Sequence, residues 1–168
     1  MITQRGPTRF FASSPVVQTV DSSSTPEVAF ALICAVDKWP VWLSFLRSVR
    51  LAQPQLPLNV GSEVIVRSTI PGEPEQIFEV DRYLQNHLLS LVGAYSVRRR
   101  IEFRIERKST SSRIMLKVDY PAYGGRLGFL VDRFTARRRL DTALGDSLIH
   151  FKGLVEYNQQ PDVVLADF

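Results

Sequence analysis

Arg99-Arg100-Ile101-Glu102-Phe103-Arg104-Ile105-Glu106-Arg107-Lys108 alternates without a break. In an extended chain Ile101, Phe103 and Ile105 share one face while Arg100, Glu102, Arg104 and Glu106 share the other, the pattern of a strand with one dry and one wet side. Ser109 to Ser112 reads as a turn, and Ile114, Leu116, Val118 and Tyr120 then face one way from the next strand. A connection this short makes the two strands antiparallel neighbours.

Upstream the same reading continues. Val49 to Gln53 is a strand; Asn59-Val60-Gly61-Ser62 turns the chain into Glu63 to Ile70, and Pro71-Gly72-Glu73-Pro74 turns it again. Gln76 to Leu84 alternates, Gln85-Asn86 breaks it, and His87 to Ser96 follows. Val16 to Asp21 alternates weakly as a first strand. Two short helices come after it. Ser22-Ser23-Ser24-Thr25-Pro26-Glu27 supplies a hydroxyl for a free first-turn amide, a proline suited to the first helical position and an acid for the positive dipole end, so a helix runs from there to about Ala35. Pro40 disfavours helical geometry at Trp39 and can itself open a helix, giving a second one from about Pro40 to Phe45.

Downstream, Pro121 to Gly125 is a loop, and from about Arg126 to Tyr157 the chain holds no proline. Leu130, Phe134, Leu144, Leu148, Phe151 and Val155 recur near helical spacing, so one long helix of about 45 Å is expected. It needs a surface to cover its apolar stripe, and the sheet is the one candidate. The fold class is therefore α+β, an antiparallel sheet of about seven strands packed on one long C-terminal helix. Residues 1–15 read as an N-terminal arm, 16–157 as one domain and 158–168 as a C-terminal tail.

The 168 residues suffice for one well-cored domain of roughly ordinary size. With 45% hydrophobic and 23% charged residues the composition is that of a globular protein. Cys34 has no second cysteine to pair with and no ligand neighbours, which argues against a disulfide scaffold or zinc module and for a reducing, cytoplasmic compartment. No stretch approaches the ~20 apolar residues of a membrane span. The net charge of +4 raises nucleic acid as a partner, but Arg98, Arg99, Arg100, Arg104, Arg107 and Lys108 surround Glu102 and Glu106, while Arg133, Arg137, Arg138 and Arg139 sit among Asp132 and Asp141. These are mixed-charge solvated faces, so no nucleic-acid partner is expected. Steering of the basic clusters to an anionic membrane surface stays open.

Ser24-Thr25-Pro26-Glu27-Val28, Val36-Asp37-Lys38-Trp39-Pro40-Val41-Trp42-Leu43, Leu58-Asn59-Val60-Gly61-Ser62, and Ser147-Leu148 through Lys152 to Glu156 occur in an order that resembles the START-like SRPBCC superfamily, in particular its polyketide cyclase/dehydrase-like branch. The resemblance covers about Val16 to Tyr157. It implies the helix-grip fold, with the sheet curved around the helix and a cavity between them that receives a lipid, sterol, quinone or polyketide-like molecule, and in some members cyclisation or dehydration. It carries no catalytic residue over to this chain, and the fold alone does not supply one.

Under the simple alternation the cavity is lined by Trp42, Val66, Ser68, Phe78, Val80, Ser90, Ile101, Phe103, Leu116, Val118, Tyr120, Phe134 and Arg138. Ser68, Arg82, Ser90 and Tyr120 are its inward polar groups; a slip of one residue substitutes Arg67, Glu79, Asp81, Tyr83 and Tyr95. His87, beside a turn, and His150, on a helix flank, are the two histidines and read as solvent-facing rather than catalytic. Gly124-Gly125-Arg126-Leu127-Gly128 is neither a dinucleotide nor a phosphate loop. Gly145 and Gly153 in the long helix suggest close approach to the sheet or a bend. Trp39 and Trp42 are candidates for core anchors, cavity mouth or membrane interface. Neither a cofactor nor a metal is expected. Binding of an apolar molecule for carriage and a cyclase or dehydratase reaction in the same cavity are the two readings left.

Overall fold

The structure, a computed structural model, describes residues 15–69, 71–72, 74–94, 96–119 and 137–157. Residues 1–14 of the arm, the tail, Tyr95, Tyr120, Phe134 and the stretch 126–136 expected to open the long helix lie outside them. In chain order the elements are β1 (Val16–Ser22), α1 (Pro26–Cys34), a 3₁₀ turn (Val36–Lys38), α2 (Trp39–Trp42), β2 (Leu46–Leu51), β3 (Glu63–Ser68), β4 (Gln76–Leu84), β5 (Leu88–Gly93), β6 (Ser96–Lys108), β7 (Ser111–Asp119) and α3 (Arg137–Tyr157).

The strands form one seven-stranded antiparallel sheet in the order β1-β7-β6-β5-β4-β3-β2. Each strand from β2 to β7 pairs with the next in sequence, and β1 closes on β7, with Val16 opposite Val118 and Ser22 opposite Ser112. The sheet curls over α3, whose 21 residues span about 32 Å. The apolar stripe of α3 (Leu144, Leu148, Phe151, Val155) meets the inner sheet face, where Val64, Val80, Leu89, Leu91, Phe103, Ile105, Ile114 and Leu116 are buried.

Turn chemistry fixes the register. Between β2 and β3, Asn59 N donates to Ser62 Oγ at 3.0 Å, Ser62 N donates to Asn59 O at 3.0 Å, and Gly61 takes φ +85°, a conformation costly for a residue with a Cβ. Between β4 and β5, Asn86 sits at φ +59°, which asparagine tolerates better than most side chains.

Several boundaries differ from the sequence expectation. Trp39 takes helical angles although a proline follows it, so α2 opens one residue early. Strand pairing with Ser68 draws β2 back to Leu46, so α2 stops at Trp42 rather than Phe45. The expected strand His87 to Ser96 ends at Gly93, and β6 already begins at Ser96, because Gly93 pairs with Ser96 across a tight reversal. At the start of α1, Pro26 occupies the first turn as expected, but the N-cap Thr25 makes no side-chain capping bond. Ser22 and Ser24 instead form a buried hydroxyl pair, 3.0 Å apart, that continues to Ser112 Oγ at 3.4 Å. The α3 glycines mark no close approach: a Cβ on Gly153 would meet nothing within 4 Å, and one on Gly145 only ordinary contact with Gln18.

Candidate functional site

The layer between sheet and helix has two unlike ends. At one, Trp39, Trp42, Phe103 and Phe151 interlock, with ring centroids 5.2 Å apart for Trp39 and Phe103, 5.9 Å for Trp42 and Phe103, and 4.9 Å for Trp42 and Phe151, all steeply inclined. Inclined aromatic pairs at these distances set positive ring edges against negative faces and fill space densely. Towards the other end burial relaxes along several inner-face rows at once. Phe103 gives way to half-buried Ile101, Leu116 to Val118, Val66 to Ser68, Phe78 to Gln76, and on the helix Leu144 to Leu140. The open end is thus the end where β3 finishes, β4 starts and α3 begins.

Two fastenings hold α3 across this layer, both to β1. At the open end Gln18 Nε2 donates to Asp141 Oδ1 at 2.7 Å. At the packed end Ser23 N donates to Glu156 Oε1 at 2.8 Å and Ser22 Oγ to the same oxygen at 3.2 Å. The Ser23 amide, with help from the Ser22 hydroxyl and Lys152, holds the Glu156 carboxyl below the usual glutamate value.

Six of the expected lining residues, Trp42, Val66, Phe78, Val80, Phe103 and Leu116, are buried on the inner face, and Ser68, Ile101 and Val118 are half-buried there. Two placements correct the sequence reading. Arg138 is exposed on α3, whereas its neighbour Arg137 turns back to donate to Pro15 O at 3.3 Å. Ser90 is buried, but on the outer face, opposite Glu102. The β5–β6 pairing sets this, with Leu91 opposite inward-facing Ile101 and Ser90 opposite Glu102, and a bulge in β4 turns Arg82 to the same side. Val80 pairs with Leu91 and Arg82 with Ser90, which leaves Asp81 as the extra residue. Beyond it the alternation reverses, so Arg82 faces outward beside Ser90 and Tyr83 faces inward, edge-on to Phe30 at 5.4 Å. Burial pushes both the Tyr83 hydroxyl and the Cys34 thiol, 3.9 Å away, up from their ordinary values. Both groups are thus neutral at physiological pH.

On the outer face the bulge seats a charge network. Arg82 and Arg104 both reach Glu102, at 2.6 and 3.0 Å, and Arg100 donates to Asp81 at 2.7 Å and to Ser90 at 2.9 Å. Glu102 is only 6% exposed, and two cations compensate it. Asp81 Oδ1 and Arg104 Nε are buried here without partners.

The histidines stand apart from the inner layer. His150 is exposed on α3, and His87, exposed at the β4–β5 turn, has Nδ1 2.9 Å from Ile105 O, to which it donates. A separate hollow of about 380 Å³ beside the β2–β3 connection is lined by residues including Leu51, Leu56, Glu63 and Glu79. Among the described residues no group of three or more His, Cys, Asp or Glu side chains is placed to hold a metal, and no helix is long and apolar enough to cross a membrane.

Trp42 and Trp39 are the part of the site that periodicity assigned least firmly. Both are fully buried, so neither is a membrane-interface residue. Trp39 Nε1 donates to Ile33 O at 2.8 Å. Trp42 Nε1 is buried with no partner among the described residues, an omission that costs about 1–3 kcal/mol in a protein interior.

No protein-family model matches the sequence, and no curated protein does. Solved structures do match over most of the chain. A protein from Thermus thermophilus superimposes with a TM-score of 0.72 at 11% identity, covering 88% of this chain and 100% of its own. A polyketide-cyclase-like protein from Corynebacterium glutamicum gives 0.60 at 13% identity, covering 87% and 93%. The allergen Ara h 8.0201 gives 0.58 at 14%, covering 86% and 99%. The chain therefore has the helix-grip fold. Within that class it is similar to polyketide-cyclase-like proteins and to Bet v 1-type allergens.

Proposed function

We propose that the layer between the sheet and α3 receives an apolar or amphipathic small molecule, such as a lipid, quinone, sterol or polyketide-like compound, for carriage or presentation. The observation that carries this reading is the graded inner face: mostly apolar, densely filled at the Trp39–Phe151 end and progressively relaxed towards Ile101, Val118 and Leu140, where Ser68 and Gln76 join it. Apolar surface left partly uncovered at the mouth of such a layer is a standing source of binding free energy. Burying about 300 Å² of ligand is worth roughly 7 kcal/mol gross at ~25 cal/mol per Å², before ordering costs. Val66, Ser68, Phe78, Val80, Ile101, Phe103, Leu116, Val118 and Trp42 form the lining in this reading. Tyr120 and Phe134 remain expected members, and Ser90 and Arg138 leave the set.

A cyclase or dehydratase acting in the same layer is the second reading. It needs polar groups converging on one point of the interior. The strand pairing works against it: Ser90 faces outward opposite Glu102, and the β4 bulge turns Arg82 to the same face and brings in Tyr83, which is engaged with Cys34 and Phe30. Native mass spectrometry of the purified chain, before and after incubation with an extract of its own cells, separates the readings. Binding predicts retention of an intact apolar compound. Release of a chemically altered compound with turnover decides for the enzyme, and the absence of any adduct contradicts both.

A further inference from the structure

Trp39 and Trp42 stand three positions apart, share an aromatic cluster and are both 0% exposed. They differ in what meets the indole nitrogen. Trp39 Nε1 has the Ile33 carbonyl, whereas Trp42 Nε1 has no acceptor among the described residues. The rings packed on Trp42, those of Trp39, Phe103 and Phe151, offer it edges and faces but no oxygen. Buried donors in native proteins are nearly always satisfied, by protein, by water or by a ligand. Because Trp42 bridges Phe103 of β6 and Phe151 of α3, its ring stands in the same layer that the preceding subsection assigns to a ligand.

We infer that Trp42 is a specificity-determining residue, its indole N–H held for a hydrogen-bond acceptor on an otherwise apolar ligand. This rests on the binding reading and narrows it. The acceptor is a neutral oxygen, the carbonyl of a ketone, quinone or ester, or a hydroxyl. A carboxylate or phosphate beside Trp42 would be desolvated among aromatic rings, and among the described residues no cation compensates it there, since Arg138 is exposed and Arg137 is turned to Pro15.

The test uses the full chain and two probes of one shape, acetylnaphthalene and isopropenylnaphthalene substituted at the same ring position, which differ by a carbonyl oxygen against a methylene. After normalisation for their partition between water and an apolar solvent, the ketone is expected to bind about 5–10-fold tighter, the worth of one hydrogen bond. Trp42→Phe, which keeps an aromatic ring and removes the donor, is expected to bring the ratio to about one. In the unsubstituted protein the Trp42 indole proton should move downfield in the nuclear magnetic resonance spectrum when the ketone binds while that of Trp39 stays in place, a readout that does not depend on the variant folding. Equal affinity for the two probes, or a water that stays on the Trp42 indole with the ketone bound, overturns the inference and leaves the binding reading standing. Binding of neither probe overturns both.

Discussion

The two ends of the sheet–helix layer are built from the same two surfaces and do different things. At one end Trp39, Trp42, Phe103 and Phe151 fill the space between β6 and α3 with inclined rings. At the other the same strands present Ile101, Val118, Ser68 and Gln76, half-buried and smaller or more polar. The lesson is that a cavity fold need not be hollow throughout. The close-packed end is the one that resists local deformation, and the half-buried end is the one with room to adapt.

That contrast makes unequal demands on substitutions. Phe103→Ala should destabilise the protein by about 3–5 kcal/mol in chemical unfolding, the usual range for removing a buried phenylalanine. Ile101→Ala, two residues along the same strand, should cost about 2 kcal/mol or less while altering affinity for an apolar probe more than Phe103→Ala does. Equal losses at the two positions would abolish the distinction between the ends. The next largest effect belongs to the fastening of α3. Glu156→Ala should cost about 1 kcal/mol at neutral pH through the lost bonds from Ser22 and Ser23. Because the folded protein lowers the Glu156 pKa, the contribution is complete above the ordinary value of 4.5 and disappears as the pH falls through the lowered one. The variant's stability curve should accordingly run closer to the parent's in acid than at neutral pH, and a gap that widens in acid would contradict the assigned clasp. The smallest effect is favourable. Gly153→Ala, inside α3 with open space around it, should stabilise by about 0.5–1 kcal/mol, and a loss of stability would reveal a contact at the packed end that the structure does not contain.

Much of this fold was legible because its cues are local. The unbroken alternation of Arg99 to Lys108 specifies a strand with one dry face, and Asn59-Val60-Gly61-Ser62 specifies a turn by side-chain bonding and a positive φ. The site was legible to the extent that it follows alternation: Phe78, Val80, Phe103 and Leu116 face inward as period-two reading places them. Arg82 was misassigned because a bulge is a property of the pairing of two strands and Asp81 has no composition that announces it, and Ser90 because Leu88 to Val92 is apolar on both faces, so that only pairing with β6 chooses its side. Arg138 failed for a related reason. An arginine near an apolar stripe lies within reach of either side of the helix, and only tertiary contacts choose between Arg137 and Arg138. The unequal surroundings of Trp39 and Trp42 were beyond sequence altogether, since they depend on which carbonyl happens to meet which indole.

The fastening of α3 to β1 also bears on how the chain reaches this state. Its bonds join Gln18 to Asp141 and Ser22 to Glu156, residues separated by 123 and 134 positions. On the ribosome, β1 is synthesised first and must wait for nearly the whole domain before its partner helix emerges. During that interval the inner face of the growing sheet has nothing to cover it, and contacts of such long range form slowly. A nascent chain halted before residue 141 would display Phe103, Ile105, Ile114 and Leu116 to solvent, making it a natural client for chaperones that recognise apolar strands.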